Sequence, residues 1–226
     1  MRSEYATNDR SDPIVARAFC ARPVAILDSF ETEFPVNRKL HALLVIGAFV
    51  AVVGKQGLAA TIEQSSFADD LIVETVAFKL QSTAVMHYRL LFKSIVPFVA
   101  ALYLSPNDKP SQALADVPKR LEIEYYYALD GGEIAVAGEK VLAANVSKEQ
   151  MQTLRSRLDQ IRSLYQSVTP GDRYTLTYIP GRGTELALNG KSKGVIRGAD
   201  FAAAYFSIWL GKSPMDDDLK KQLVRR

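Results

Sequence analysis

From Arg173 onward the hydrophobic and polar positions follow two clean periods. Tyr174, Leu176 and Tyr178 alternate with Thr175 and Thr177 up to Ile179, the period of two expected of a half-buried strand. Pro180-Gly181-Arg182-Gly183 predicts a turn, Thr184–Leu188 a second strand and Lys191–Ile196 a third. Asn189-Gly190 suits a two-residue hairpin, whose central positions both need φ > 0. Asp200 stands where an N-cap belongs. Phe201, Ala204, Tyr205 and Ile208 then recur at helical spacing, with Trp209 beside them and Gly211 as a stop. A helix this apolar has to be buried, and the three-stranded meander ahead of it predicts the sheet it lies against.

Upstream, the pattern is more broken. Ile62, Phe67, Leu71 and Val73–Leu80 predict two short strands around Ala68-Asp69-Asp70. Tyr88–Lys93 and Ile95–Leu104 follow, and Pro97 predicts a bend or bulge within the second, because proline cannot donate to a central ladder. Ser111–Asp116 reads as a short helix capped by Ser111. Lys119–Tyr127 reads as a strand with Leu121, Ile123, Tyr125 and Tyr127 on one face and Glu122, Glu124 and Tyr126 on the other. Asp130-Gly131-Gly132-Glu133 and Ser147-Lys148-Glu149-Gln150 are two capping boxes. The first opens a helix with Ile134, Ala137, Gly138 and Val141 on its apolar face. The second opens a long amphipathic helix carrying Met151, Leu154, Leu158, Ile161, Leu164 and Tyr165 at helical spacing. Pro214 starts a last short helix with Asp216–Asp218 at its N-terminal end and Lys220, Lys221 and Arg225 toward its C-terminal end. Strands, helices, strands, helix: the order predicts an α+β fold, an antiparallel sheet with helices over one face.

The N-terminal part has a different character. Residues 1–35 hold no periodic run and are interrupted by Asp12-Pro13, Arg22-Pro23 and Phe34-Pro35, so they read as disordered or as outside the mature protein. In residues 36–59, the basic Asn37-Arg38-Lys39 precedes the apolar Leu40–Gly54, with Gly57 and Ala59 at the −3 and −1 positions of a cleavage site. That is the make-up of a secretory signal, with Val36 as an alternative start. An uncleaved membrane anchor and a buried core helix are the other two readings. The run is shorter than the roughly 20 apolar residues of a full span. The signal places residues 60–226 in the periplasm or outside the cell; the anchor places them at the inner membrane.

Composition narrows the chemistry. The net charge of +3 is scattered, with no Lys/Arg run longer than two, which argues against a nucleic-acid partner. One cysteine, Cys20, excludes an intrachain disulfide, and with only His41 and His87 beside it no Cys/His metal site can be assembled. Asp216–Asp218 reads as capping and dipole chemistry rather than a cation site. Gly181 and Gly183 make a hairpin turn, not a phosphate loop, since no helix start follows. No cofactor is implied. Ser207 and His87 form no recognisable nucleophile–base pair.

Leu102-Tyr103-Leu104, Gly171-Asp172, Leu176-Thr177-Tyr178, Pro180-Gly181, Gly183-Thr184 and Leu188-Asn189-Gly190 carry a resemblance. So do Gly198-Ala199-Asp200-Phe201, Ile208-Trp209-Leu210-Gly211 and the Pro214–Lys220 segment. Together they resemble the bacterial chalcone isomerase-like family, from about Ala60 to the C-terminus. The resemblance implies an open-faced β-sandwich, with a large antiparallel sheet covered on one face by helices and a ligand cleft between the two layers. In the plant isomerases of this fold, an intramolecular lyase reaction closes a chalcone ring, with an Arg and a Tyr–Thr–Lys–water arrangement stabilising the enolate. By that resemblance the threonine position falls at Phe98 and the helix Thr/Ser position near Ile208, beside Ser207. Gly131–Gly138 offers neither the Tyr nor the Asn, and only Arg89 or Lys93 remains as the basic group. Other members of the fold bind fatty acids without catalysis. The expectation is therefore a cleft for a fatty acid or similar amphiphile, with Arg89, Tyr88 and Tyr103 as polar anchors and Phe98, Tyr205 and Trp209 as apolar lining. The alternative is an intramolecular lyase acting on a chalcone-like substrate. A membrane enters only through the N-terminal apolar segment.

Overall fold

Seven strands form one antiparallel sheet, and the structure, a computed structural model, describes residues 59–90 and 93–225 around it. The strands are β3 (Asp70–Val73), β4 (Val76–Val85), β7 (Phe98–Leu104), β8 (Lys119–Tyr125), β9 (Arg173–Ile179), β10 (Gly183–Leu188) and β11 (Lys191–Ile196). Their spatial order is β11-β10-β9-β8-β7-β4-β3. Two small ribbons stand apart in the hydrogen bonding: β1 (Ala59–Ile62) with β2 (Ser65–Ala68), and β5 (Tyr88–Leu90) with β6 (Lys93–Ile95). Four helices follow or interrupt the sheet: α1 (Gly131–Ala143), α2 (Lys148–Leu164), α3 (Ala199–Leu210) and α4 (Asp217–Leu223). The architecture is the α+β one expected.

The sheet alternation sorts every strand between two buried faces. Register pairs Phe98 with Tyr125, Ile123 with Tyr174 and Leu121 with Leu176, so these side chains share the face that meets the helices. Phe67, Phe78, Val99, Ala101, Tyr103 and Ile179 form a second cluster. On this side Arg173 pairs with Glu122 and Glu124, donates to the Ser66 carbonyl at 3.0 Å and lies over the Phe67 ring. Ser65 donates to Glu124 at 2.6 Å. The β1–β2 ribbon is thereby fastened across the sheet by one guanidinium and one carboxylate.

Caps fix α1 and α2 where the sequence placed them, although Asp130 caps without a reciprocal box, and the last helix starts at Asp217 rather than at Pro214. Asp130 accepts from the Gly132 and Glu133 amides, and Ser147 and Gln150 exchange bonds as a capping box. Asp216 caps α4 through the Leu219 amide, while Asp218 pairs with Lys221. For α3, however, the N-cap is Gly198 at φ 111°, not Asp200. Asp200 lies inside the first turn and takes a two-pronged bond from Arg157, at 2.7 and 2.6 Å, that ties α3 to α2. The short helix expected over Ser111–Asp116 is instead a single 3₁₀ turn, Pro110–Gln112. Its N-cap is Lys109, whose amide is taken by the Gln112 side chain at 3.1 Å.

Residues 59–85 form four strands where two were expected. Their reversals turn on Glu63 at φ 51° and Glu74 at φ 56°, residues that carry no turn signal in sequence. The Asn189-Gly190 hairpin has both φ values positive, as read, and the break at Val96-Pro97 separates β6 from β7. The strand expected over Lys119–Tyr127 ends at Tyr125. Among the described residues no helix is long and apolar enough to cross a membrane. Leu40–Gly54, Cys20 and His41 lie outside them.

Lys119 is the unusual buried charge. It is fully buried on β8, donates to the Ala115 carbonyl at 2.5 Å and sits over the rings of Tyr178 and Phe206 at 4.8 and 5.5 Å. Burial pushes its ammonium down to about 8 from 10.5, and Asp116 and Asp108 oppose the shift only partly. The sign follows from proton binding: between about 8 and 10.5 the unfolded chain holds this proton and the folded chain has released it. Below about 8 the penalty for the buried charge is fully present. Urea unfolding should therefore show stability rising from pH about 8 toward the phenol range near 10, by up to about 1.4 kcal/mol per pH unit. Lys119→Met should remove that slope; an equal slope in the variant would assign it to another group.

Candidate functional site

The helix-facing side of the sheet and the helices above it do not close completely, and the gap between them is the candidate site. Its floor is Phe98 from β7, Leu121, Ile123 and Tyr125 from β8, and Tyr174 and Leu176 from β9. Ile134, Ala137 and Gly138 descend from α1, and Tyr205, Ile208 and Trp209 from α3. Leu129, Tyr165 and Met215 complete the wall from connecting segments. Each element delivers these residues through its own period: every second residue on the strands, and Ile134–Gly138 and Tyr205–Trp209 at i, i+4 on the helices. The half-buried members, Ile134, Gly138, Tyr165 and Met215, mark the side toward solvent.

A run of rings forms the wall. Phe98 tilts against Tyr125 at 5.8 Å, Tyr125 meets Tyr174 edge-on at 6.3 Å, and Tyr174 meets Tyr165 at 5.1 Å. The hydroxyls of Tyr165 and Tyr205 are 2.9 Å apart, and the Tyr205 ring meets Trp209 at 6.1 Å. The Tyr174 hydroxyl is occupied, donating to the Gln166 carbonyl at 2.8 Å and accepting from its amide at 2.6 Å. Trp209 is 6 % exposed, and its indole N–H has no acceptor.

The electrostatics are simple. None of the fifteen lining residues is charged. Burial pushes the phenols of Tyr125, Tyr165, Tyr174 and Tyr205 up from their ordinary value, and neighbouring hydroxyls raise Tyr125 and Tyr165 further. They remain neutral O–H groups at ordinary pH and do not serve as bases there. The enclosed space is about 40 Å³, room for a water or two. Clefts that hold drug-sized ligands span roughly 300–1,000 Å³.

The six residues expected to bind ligand do not come together. Phe98, Tyr205 and Trp209 line the gap. Tyr103 is fully buried in the second cluster with Phe67 and Phe78, on the other face of the sheet, and its hydroxyl has no partner. Burial, with Glu122 beside it, pushes that phenol up. The reason is parity: Phe98 and Tyr103 are five apart on one strand, so they face opposite ways. Arg89 and Tyr88 are on the β5–β6 ribbon, Arg89 exposed and Tyr88 half-buried, and neither lines the gap. Sequence reasoning missed Tyr125, Tyr165 and Tyr174 as wall residues. The signal was present for two of them: Tyr125 shares its face with Leu121 and Ile123, and Tyr174 shares its face with Leu176. Tyr165, expected on the apolar face of the long helix, is instead its C-cap with extended backbone, so its direction is set by the chain's exit from the helix.

Comparison with known proteins agrees with the fold. A family model described as chalcone isomerase-like matches residues 28–224. No curated protein matches the chain. Among solved structures, a fatty-acid binding protein of Arabidopsis thaliana superposes with a TM-score of 0.57 at 14% identity, covering 74% of this chain and 96% of its own.

Gly138 probes the packing directly. It is inside α1, and a Cβ there would stand 3.5 Å from Ile208 Cδ1, an ordinary contact. Gly138→Ala should stabilise the fold by about 0.5–1 kcal/mol through helix propensity, read by urea unfolding. A loss of stability instead would mean that α1 and α3 have no slack at this point.

Proposed function

The chain belongs to the chalcone isomerase-like family, and we propose that within it this protein is a non-catalytic binder of a small amphiphile, a fatty acid or a molecule like it, in the cleft between sheet and helices. The observation that carries the proposal is the lining: an apolar, ring-walled gap with no charged side chain among its described residues. Ring closure of a chalcone requires the developing enolate to be stabilised, typically by preorganised cations or strong donors. Here the phenols are neutral and one of them is already spent on Gln166. Binding asks less of a site than catalysis does, needing apolar surface and a few donors. The likeness in fold to a protein named as a fatty-acid binder supports the same reading.

At about 40 Å³ the gap is the closed form of such a cleft. An acyl-sized guest has to displace wall side chains, and Met215 at the rim is the adaptable one available. Export is a further part of the proposal. It is supported by the Asn37–Lys39 cluster, the apolar Leu40–Gly54 and the small residues Gly57 and Ala59, with the periplasm or the exterior as destination.

Two assays on the purified full chain test the reading. Organic extraction followed by mass spectrometry should recover an apolar or amphipathic molecule in near-stoichiometric amount. Chalcone absorbance should decay at the buffer rate even at high protein concentration. Acceleration of that decay in proportion to protein would overturn the non-catalytic reading and return the lyase alternative.

A further inference from the structure

The hydrogen-bonding inventory of the cleft is lopsided. The Trp209 indole can only donate, and its N–H is buried without an acceptor. Tyr165 and Tyr205 share one bond, so one hydroxyl proton of the pair is left over for a third group. Tyr205 and Trp209 are on successive turns of α3, which puts these donors on one side of the cleft. No cation is among the described residues that line the cleft; the buried Lys119 on the same sheet face donates to the Ala115 carbonyl and sits under Phe206 instead. Arg155 and Arg162 on the adjoining helix are both engaged by Glu139, and Arg89 is exposed on its own ribbon.

Consider what each class of head group meets there. An ionised carboxylate leaves water for neutral donors alone, with no counter-charge, and unpaired buried charge is heavily disfavoured. An ammonium finds no anion among the lining residues, and would have only ring faces and the spare lone pairs of the Tyr165 and Tyr205 hydroxyls to replace its hydration. A neutral carbonyl oxygen finds the donors it needs, and it relieves the indole N–H that is otherwise unsatisfied. We infer that the cleft selects an uncharged molecule with a carbonyl-type acceptor oxygen, an ester or ketone, seated between Trp209 and the Tyr165–Tyr205 pair, with its apolar remainder along Phe98, Tyr125 and Ile123. This rests on the binding function proposed above. A fatty acid then enters only as the neutral acid.

The test is calorimetric titration of the full chain with methyl octanoate, octanoate and octylamine. At pH about 8, where the acid is ionised, methyl octanoate should bind at least roughly tenfold tighter than either charged probe, the ratio one well-formed hydrogen bond supplies. At pH about 4.5, where the acid is partly neutral, the gap to octanoate should narrow. Trp209→Phe and Tyr205→Phe should each weaken methyl octanoate severalfold, with urea unfolding confirming that both variants fold. Unchanged affinity in both folded variants would overturn the placement of the oxygen. Octanoate binding as tightly as the ester at pH about 8, and weakening in Arg89→Gln, would overturn the neutral-head inference and leave the binding function standing. If no probe binds, the binding function falls and this inference with it.

Discussion

Ala199–Leu210 has no polar face, and the rest of the molecule is arranged to keep it from water. Nine of its twelve residues are buried, which only a helix enclosed on every side can achieve. The sheet supplies one wall, α1 and α2 two more, and α4 closes the end. The anchors of that enclosure are polar but local. Arg157 grips Asp200, Asn145 holds the Ser213 backbone at 2.6 and 2.8 Å, and Gln222 bonds both the amide and carbonyl of Val85. Each buried Phe, Ile or Leu of the helix is worth about 1.5–3 kcal/mol, so the apolar face sets the packing and the polar anchors set its register. The candidate cleft is where this enclosure falls short, between the large rings of Tyr205 and Trp209 and those rising from the sheet.

That origin explains its chemistry. A gap left inside a hydrophobic core inherits the core's composition, so its polar features are the tips of aromatic side chains: phenol hydroxyls and one indole N–H. Apart from Lys119, buried under Phe206 on the helix-facing side, the charged groups of β8 and the start of β9 are on the other face, where Arg120, Glu122, Glu124 and Arg173 pair among themselves and fasten the β1–β2 ribbon. The cleft lining itself holds only neutral groups, which is the feature the proposed binding role draws on. It also makes the family's fold compatible with a guest that carries no charge at all.

The elements after Gly171 were legible in sequence because local and global preferences agree there. Alternation, a φ-positive Asn-Gly turn and an unbroken apolar helix all point one way. The N-terminal strands were less so, since Glu63 in the β1–β2 ribbon and Glu74 in the β3–β4 hairpin make tight reversals with positive φ that no turn residue announces. Asp200 was misread as a cap because an acidic residue beside a helix start serves equally well as an ion-pair partner. Half of the expected site was legible through the apolar spacing of α3 and the position of Phe98. The rest was not: Tyr103 faces away from Phe98 by its odd offset on one strand, and Arg89 and Tyr88 are on a ribbon whose pairing no local period encodes. Which tyrosines converge depends on how β8, β9 and the end of α2 pack, and no single-chain period encodes that.

Trp209 is the only tryptophan in the chain, so its indole N–H gives one side-chain resonance in a nitrogen–proton NMR spectrum. Titrating the full chain with a neutral ester should move that proton downfield as it gains an acceptor, in step with shifts on Ile123 and Tyr125. An indole signal that stays fixed while residues of the β5–β6 ribbon around Arg89 respond would place the ligand elsewhere and contradict the cleft as the binding site.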